Sequence, residues 1–275
     1  MKPSAILSSA AAMLLAVAAS APADILVNDT FESDILNPSP RVGLGTDPAG
    51  WANDLGDSIN ANGLTDISVE GVGGPQGGSQ TMLFFDSNGV DGRIADSRTF
   101  TPVSTSAVTV TLDFRVNSVI DPAADKFAIR LFSTGNQSIG VELAGNGSST
   151  GFNIRPLGHT NTTVLGEVTV GDWYQMTLEA PSVDSGSTEW QLTLHNYATA
   201  STDTFALTLP APASGEYWRI LLQSGFADAN TLDMSFDNVT VEAITVIPEP
   251  STALLLFGGG LLMWQRCQRS KAARR

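Results

Sequence analysis

Cysteine and histidine are nearly absent from the sequence. The single cysteine is Cys267, so residues 24–249 contain none. This absence excludes a disulfide framework, a thiolate metal site and a cysteine nucleophile from that part of the chain. The two histidines, His159 and His195, are far apart in the sequence and have no clustered partner. Their spacing argues against a histidine metal site and against a Ser-His-Asp triad.

Basic residues are scarce in the middle of the chain. Residues 24–249 contain eight basic residues and all 28 acidic ones, which gives a formal charge of −20. Nucleic acid is therefore not an expected partner, because binding to phosphates requires a basic surface. An acidic surface keeps a protein soluble and attracts divalent cations. We expect it to repel anionic polysaccharide unless cations bridge the two.

Helical periodicity is also missing between residues 24 and 249. Apolar and polar residues alternate there with a period of two, which is typical of strands with one buried face and one wet face. The clearest segments are Val108 to Val116, Phe127 to Leu131, Ile139 to Leu143, Trp190 to Leu194, Phe205 to Leu209 and Trp218 to Leu222. The pattern predicts an all-β domain over residues 24–245, a two-sheet antiparallel β-sandwich or jelly roll.

The four tryptophans of residues 24–249 fall into two groups. Trp173, Trp190 and Trp218 lie within strand patterns, and we expect them in the core. Trp51 lies in the stretch 37–64, where Gly, Pro, Asn and Asp predict long loops. An exposed Trp51 would be a stacking platform for glycan contact, and a buried one would plug the edge of the sandwich. The sequence leaves both interpretations open.

The first 23 residues have the pattern of a secretory signal peptide. Lys2 supplies a positive start, the stretch from Ala5 to Ala19 is rich in alanine and leucine, and Ala21 and Ala23 form an A-x-A cleavage site. We expect signal peptidase to cut after Ala23. The chain that follows is then outside the cytoplasm.

The C-terminal residues combine three features. Pro248, Glu249 and Pro250 precede an uncharged apolar run, Ser251 to Trp264, and a basic tail. At 1.5 Å per residue the run spans roughly 21 Å, less than the ~30 Å hydrocarbon core, so it predicts a short transmembrane helix and a marginal membrane anchor. The positive-inside rule places the tail in the cytoplasm. Its five basic residues are Arg266, Arg269, Lys271, Arg274 and Arg275.

This arrangement resembles the PEP-CTERM sorting signal of Gram-negative bacteria. The resemblance implies that a membrane peptidase, exosortase, recognises Pro248, Glu249 and Pro250 and processes the chain after transient anchoring in the inner membrane. It also implies delivery to the cell envelope or extracellular matrix of a bacterium that makes exopolysaccharide. An ordinary C-terminal anchor that is never cleaved is the alternative.

Two short motifs resemble those of concanavalin A-like and laminin G-like jelly rolls. They are Asp29-Thr30-Phe31-Glu32 near the start of the domain and Phe236-Asp237-Asn238-Val239 near its end. In that family the first and last strands lie side by side. The apolar parity of the closing strand shifts within the second motif, which predicts a β-bulge at Asp237-Asn238. The resemblance is also compatible with calcium, held by loop carboxylates and carbonyl oxygens at dispersed positions.

Two candidate chemical motifs are incomplete. Concanavalin-like glycosidases carry paired carboxylates as E-x-D-x-x-E or E-x-D-x-E on one strand, and the nearest match, Glu32-Ser33-Asp34, lacks the second glutamate. The stretch from Asp86 to Gly92 begins like an EF-hand loop. It has Val90 where an oxygen ligand is required, so a tight Asn-Gly hairpin is favoured. The sequence therefore assigns no catalytic residue.

The sequence as a whole favours a non-enzymatic surface or matrix protein with an adhesive or glycan-binding role. Its expected partners are exosortase, signal peptidase, and exopolysaccharide or another surface glycan. A polysaccharide-active enzyme, either a glycoside hydrolase or a lyase on a jelly-roll fold, is the alternative.

Overall fold

Alternating apolar and polar residues form strands along most of the domain. A computed structural model describes residues 23–32, 51–53, 65–71, 73–86, 95–119, 126–135, 137–157, 163–209, 211–224 and 232–244. These ranges all belong to one compact unit, Pro22–Thr245. Within them, 15 strands form two antiparallel sheets, which we name sheet A and sheet B.

Sheet A contains eight strands and sheet B contains seven. The strands of sheet A are β1 (Asp24–Asp29), β3 (Thr65–Glu70), β4 (Thr81–Asp86), β6 (Ala107–Val119), β11 (Trp173–Ala180), β12 (Glu189–Asn196), β13 (Ser201–Thr208) and β15 (Leu232–Ile244). Those of sheet B are β2 (Trp51–Asn53), β5 (Ala95–Val103), β7 (Lys126–Ser133), β8 (Ser138–Gly145), β9 (Gly151–Pro156), β10 (Gly166–Thr169) and β14 (Tyr217–Ser224). In the described ranges the helical structure is one short 3₁₀ turn, Val183–Ser185.

The strand order is that of a double-sheet jelly roll. Sheet A runs β13-β12-β11-β6-β15-β4-β3, with β1 also beside β15, and sheet B runs β10-β9-β8-β7-β14-β5-β2. The chain changes sheet at each step from β4 to β7 and again from β13 to β15. This wrapping confirms the predicted all-β, two-sheet antiparallel sandwich.

Strand β15 occupies the middle of sheet A. One edge pairs with β6 along most of its length, while the other pairs first with β4 and then with β1. The pairing of β1 with β15 confirms that the first and last strands are neighbours. The register of β15 against β6 shifts between Asp237 and Thr240, and Asn238 has a φ of 49°. The predicted β-bulge at Asp237-Asn238 is therefore confirmed.

Aromatic rings join the two sheets at the centre of the core. Phe84 of β4, Phe127 of β7 and Phe236 of β15 are almost completely buried. Their ring centroids are 5.3 Å apart for Phe84 and Phe127, and 5.2 Å apart for Phe127 and Phe236. Replacing such a ring by alanine typically destabilises a protein by about 3–5 kcal/mol. These rings fill the interior between the sheets and are not accessible to a ligand.

The terminal features predicted from the sequence lie outside the described residues. These are Ala21 with most of the signal peptide, the Pro248-Glu249-Pro250 motif, the apolar run 251–264 and the basic tail. Ala23 is the first described residue and is exposed. No helix among the described residues is long and apolar enough to cross a membrane.

Candidate functional site

Two carboxylates, Asp113 on β6 and Asp237 on β15, form a buried pair on the outer face of sheet A. They are direct cross-strand neighbours with exposed fractions of 0% and 1%. The bulge directs the Asn238 side chain towards both, so that its Nδ2 donates to Asp113 Oδ2 at 2.8 Å and to Asp237 Oδ2 at 3.1 Å. One amide therefore bridges two carboxylates that would repel each other if both were ionised.

Asp113 accepts several further hydrogen bonds. Its donors include Gln76 Nε2 at 3.0 Å, Tyr197 OH at 3.0 Å and Gln175 Nε2 at 3.3 Å. Burial raises the pKa of Asp113, and the hydrogen bonds oppose that rise. Burial, followed by the charge of Asp113, raises the pKa of Tyr197 to about 12. The phenol therefore remains a hydrogen-bond donor at neutral pH.

Asp237 holds its proton more strongly than an ordinary aspartate. Burial is the largest cause, and the charges of Asp113 and Glu32 add to it, which raises the pKa of Asp237 to about 7. The hydrogen bond from the Asn238 backbone N–H, at 2.8 Å, opposes the shift. Near neutral pH the pair therefore carries less than two full negative charges.

The segment 73–80 packs over the carboxylate pair. Gln76 Nε2 also donates to Tyr197 OH at 2.9 Å, and a Cβ on Gly74 would collide with Asp237 Oδ2. Glu32 accepts from the backbone N–H groups of Ser79 at 2.7 Å and Gln80 at 3.0 Å. These bonds, from Gln80 first, lower the pKa of Glu32. Hydrogen bonds to Asp113 and Glu32 thus hold this segment against sheet A, over the buried pair.

Only parts of the two incomplete sequence motifs, Glu32-Ser33-Asp34 and Asp86 to Gly92, lie within the described residues. Glu32 accepts hydrogen bonds from the segment 73–80, and Asp34 lies outside the described residues. Among the side chains that are described, no three or more His, Cys, Asp or Glu residues are grouped to hold a metal ion. Most of the EF-hand-like stretch, residues 87–92, lies outside the described ranges.

The outer face of sheet B has a different chemistry, and we name it the arginine face. It is defined by Lys126, Arg130, Arg155 and Arg219, which alternate along their strands with core residues. Its acidic residues in the described ranges are Glu142 and Glu167. Four cations and two carboxylates make this face net positive in a domain whose total formal charge is strongly negative.

A cation and two aromatic rings form the most structured part of the arginine face. The Arg219 guanidinium carbon lies 4.6 Å from the centroid of the Phe132 ring and 4.7 Å from that of Trp218. Arg219 and Phe132 are cross-strand partners, and the register of β14 shifts between Tyr217 and Arg219. This bulge puts Tyr217 into the core and leaves Trp218 half-buried beside the arginine. The cluster combines hydrogen-bond donors with aromatic surface.

The residues opposite the arginines of the arginine face differ in size. Arg130 pairs with Gly140, and Arg155 pairs with Glu142, whose other partner is Ala128. A Cβ on Gly140 would collide with the Ile129 carbonyl oxygen, so the close approach of two strands requires glycine there. Arg130 therefore has no side chain opposite it on β8, whereas Arg155 lies opposite Glu142.

The exposed-platform interpretation of Trp51 is corrected by the structure. Trp51 lies on the short strand β2, with an exposed fraction of 5%. Its ring centroid is 6.2 Å from that of Phe31, and its Nε1 donates to Asp29 Oδ2 at 2.8 Å. Both ring and N–H are used inside the protein, so Trp51 plugs the sandwich edge and presents no surface to a sugar.

The core predictions for the other three tryptophans had mixed outcomes. Trp190 is buried in the core as predicted, whereas Trp173 and Trp218 are only half-buried. Trp173 lies under the Arg115 guanidinium at 5.0 Å on the outer face of sheet A. His195 lies on that same face, where Nδ1 is 2.9 Å from Thr202 Oγ1, and His159 is outside the described residues.

Lectins, a CBM2 module and two enzymes, an alginate lyase and an arabinofuranosidase, are among the similar solved structures, all at low identity. They include peanut lectin with a 9-mer peptide (12% identity, 74% of this chain and 97% of that chain, TM-score 0.47) and lectin II from Ulex europaeus (10%, 77% and 100%, 0.46). A third is the CBM2 module of the evolved Dit of Lactobacillus casei BL23 phage J-1 (13%, 82% and 98%, 0.47). At this similarity they carry no argument about what the chain binds.

No protein-family model matches the chain, and no curated protein is significantly similar to it.

Proposed function

We propose that this chain is an exported, non-enzymatic surface or matrix protein that binds glycan through the arginine face. The observation that supports it best is the stacking of Arg219 on Phe132 and Trp218. Aromatic rings pack against the apolar faces of sugar rings, and a guanidinium held beside them donates hydrogen bonds to sugar oxygens.

The same proposal includes the route to the surface. The signal-peptide pattern of residues 1–23 supports export by way of signal peptidase, and Pro248, Glu249 and Pro250 support sorting by exosortase. The destination is the cell envelope or extracellular matrix of a Gram-negative bacterium. A polysaccharide-active enzyme is the weaker proposal, because the carboxylate pair Asp113 and Asp237 is buried under the segment 73–80.

Binding of the purified full-length protein to an immobilised glycan array tests the glycan-binding role. We expect Trp218→Ala and Arg219→Ala each to weaken binding of the recognised glycan about tenfold, since residues of these types dominate binding energy where they contact a ligand. The pair Trp173 and Arg115 on sheet A is a matched control with the same side chains in the same kind of contact.

Trp173→Ala and Arg115→Ala should leave glycan affinity unchanged. Equal losses from the two pairs would show that the arginine face is not the site. The absence of binding to every glycan on the array would overturn the glycan-binding proposal altogether.

A further inference from the structure

We infer that the ligand of the arginine face is an acidic polysaccharide, with carboxylate or sulfate groups along its chain. This inference rests on the proposed glycan-binding function and names its substrate class. It runs against the expectation from total charge, by which residues 24–249, at −20, should repel such a polymer. The positions of the charges on the two sheets decide whether the domain attracts or repels an acidic polymer.

The few cations among the described residues are concentrated on one face. Four of the six basic residues in the described ranges belong to the arginine face. The other two are Arg115, on the outer face of sheet A, and Arg98, which shares the core side of β5 with its partner Ile220. Acidic residues predominate on the outer face of sheet A, where Glu179 and Glu242 extend from β11 and β15. A polyanion is therefore attracted to sheet B and repelled from sheet A.

Strand register arranges the three arginines along a diagonal. Arg219 on β14 is opposite Phe132 on β7, and Arg130 is two residues from Phe132 along β7. Arg155 lies on β9, two strands from β7, and is displaced by two more residues in the same direction. With strands about 4.8 Å apart and about 6.8 Å per two residues, the diagonal is roughly 20 Å long. Positive groups repeated over this length match a linear polymer that bears repeated anionic groups, and exceed what one isolated sugar would contact.

Partial burial strengthens the attraction of these arginines for an anion. Burial lowers the pKa of Arg130, and the charge of Glu142 opposes that effect. Arg130, Arg155 and Arg219 are all half-buried on their strands. A guanidinium in such surroundings interacts with a carboxylate or sulfate more strongly than one surrounded by water, and its planar fork can donate two hydrogen bonds at once.

Matched polymers test the charge of the ligand. The full-length protein is titrated with polygalacturonate and with its fully methyl-esterified form, which keeps the sugar chain and removes the charge. We expect binding to polygalacturonate that weakens at least tenfold on esterification and falls as ionic strength rises. Dextran sulfate against dextran forms a parallel pair, and the anionic polymer with the higher affinity identifies carboxylate or sulfate as the recognised group.

Arginine variants test which residues bind the anionic polymer. The triple variant Arg130→Gln, Arg155→Gln, Arg219→Gln should lose at least tenfold in affinity for the anionic polymer, whereas Arg115→Gln on sheet A should lose nothing. Arg219→Lys keeps the charge and removes the planar stack, so a milder loss of affinity is expected. This variant is measured instead if the triple variant does not fold. Equal binding of charged and uncharged polymers would overturn the acidic class but leave glycan binding in place, whereas no effect of the triple variant would overturn the arginine face as the binding site. Failure of every polymer, charged and neutral, would instead overturn the proposed function.

Discussion

At the scale of single residues, Asp237 should make stability depend on pH. Its pKa in the folded protein is about 7, against an ordinary 3.8, so the folded state keeps a proton that the unfolded chain releases. An acid with a raised folded pKa contributes full stability below about pH 4, and this contribution is lost as pH rises to about 7. We expect Asp237→Asn, which stays neutral, to raise the free energy of unfolding at pH 8 by on the order of 2 kcal/mol. Urea denaturation at pH 8 and at pH 4 measures the difference.

The other carboxylate of the pair provides the control. Asp113 accepts bonds from Asn238, Gln76, Tyr197 and Gln175, and an asparagine there would turn an NH₂ group towards some of these donors. Asp113→Asn should therefore destabilise the protein at both pH values, by about 1–3 kcal/mol. If Asp237→Asn were equally destabilising at pH 8, the proton assignment of the pair would be wrong.

Residue types alone could not have revealed the carboxylate pair or the arginine face. Asn238 and Asp113 are 125 residues apart in sequence, and their contact depends on the pairing of β15 with β6. Arginines on three strands become neighbours only once sheet B is assembled. One signal was available: Arg130 and Arg219 each occupy the polar position of an alternating strand, although nothing in the sequence indicates that those strands are adjacent.

At the scale of secondary-structure elements, the bulge of β15 should be sensitive to backbone conformation as well as to side chain. Asn238 has a φ of 49°, which glycine adopts easily and alanine does not. Asn238→Gly and Asn238→Ala both remove the amide that bridges Asp113 and Asp237. We expect alanine to be less stable than glycine by about 1 kcal/mol, measured by urea unfolding. Equal stabilities would mean that the bulge relaxes when its side chain is removed.

Bulges also explain which strand predictions succeeded. The two-residue alternation predicts β6, β7, β8 and β12 correctly, because their inward residues keep one parity throughout. It misplaced Trp218, since the bulge between Tyr217 and Arg219 gives the core position to Tyr217. The bulge at Asp237-Asn238 was predictable because apolar residues flank it on both sides. The one in β14 was not, since both Tyr217 and Trp218 suit a core.

At the scale of the whole molecule, opposite faces of the sandwich differ in charge, and this matters for the proposed role at a surface. Sheet A contributes the buried carboxylate pair and exposed glutamates, while sheet B contributes the arginine face. Because the outer face of sheet A is negative, it opposes binding of an anionic polymer. The orientation in which sheet B faces the polymer is therefore favoured. The composition predicts an acidic protein correctly and conceals this asymmetry, because it averages over both faces.

The proposed sorting of the whole chain depends on its last residues, and it can be tested separately from the sandwich. The run Ser251 to Trp264 is uncharged and spans roughly 21 Å as a helix, so it suits a segment that is held briefly in a ~30 Å hydrocarbon core and then cut. Replacing Pro248, Glu249 and Pro250 by alanine should leave the protein membrane-bound at its full mass. Fractionation with mass spectrometry of the C-terminus measures both properties, and the substitution Ser251→Ala, one residue further on, is the control. Release of the triple-alanine variant at the same mass as the unaltered chain would show that the tail is processed without the motif, or that it is only an anchor shed by other means.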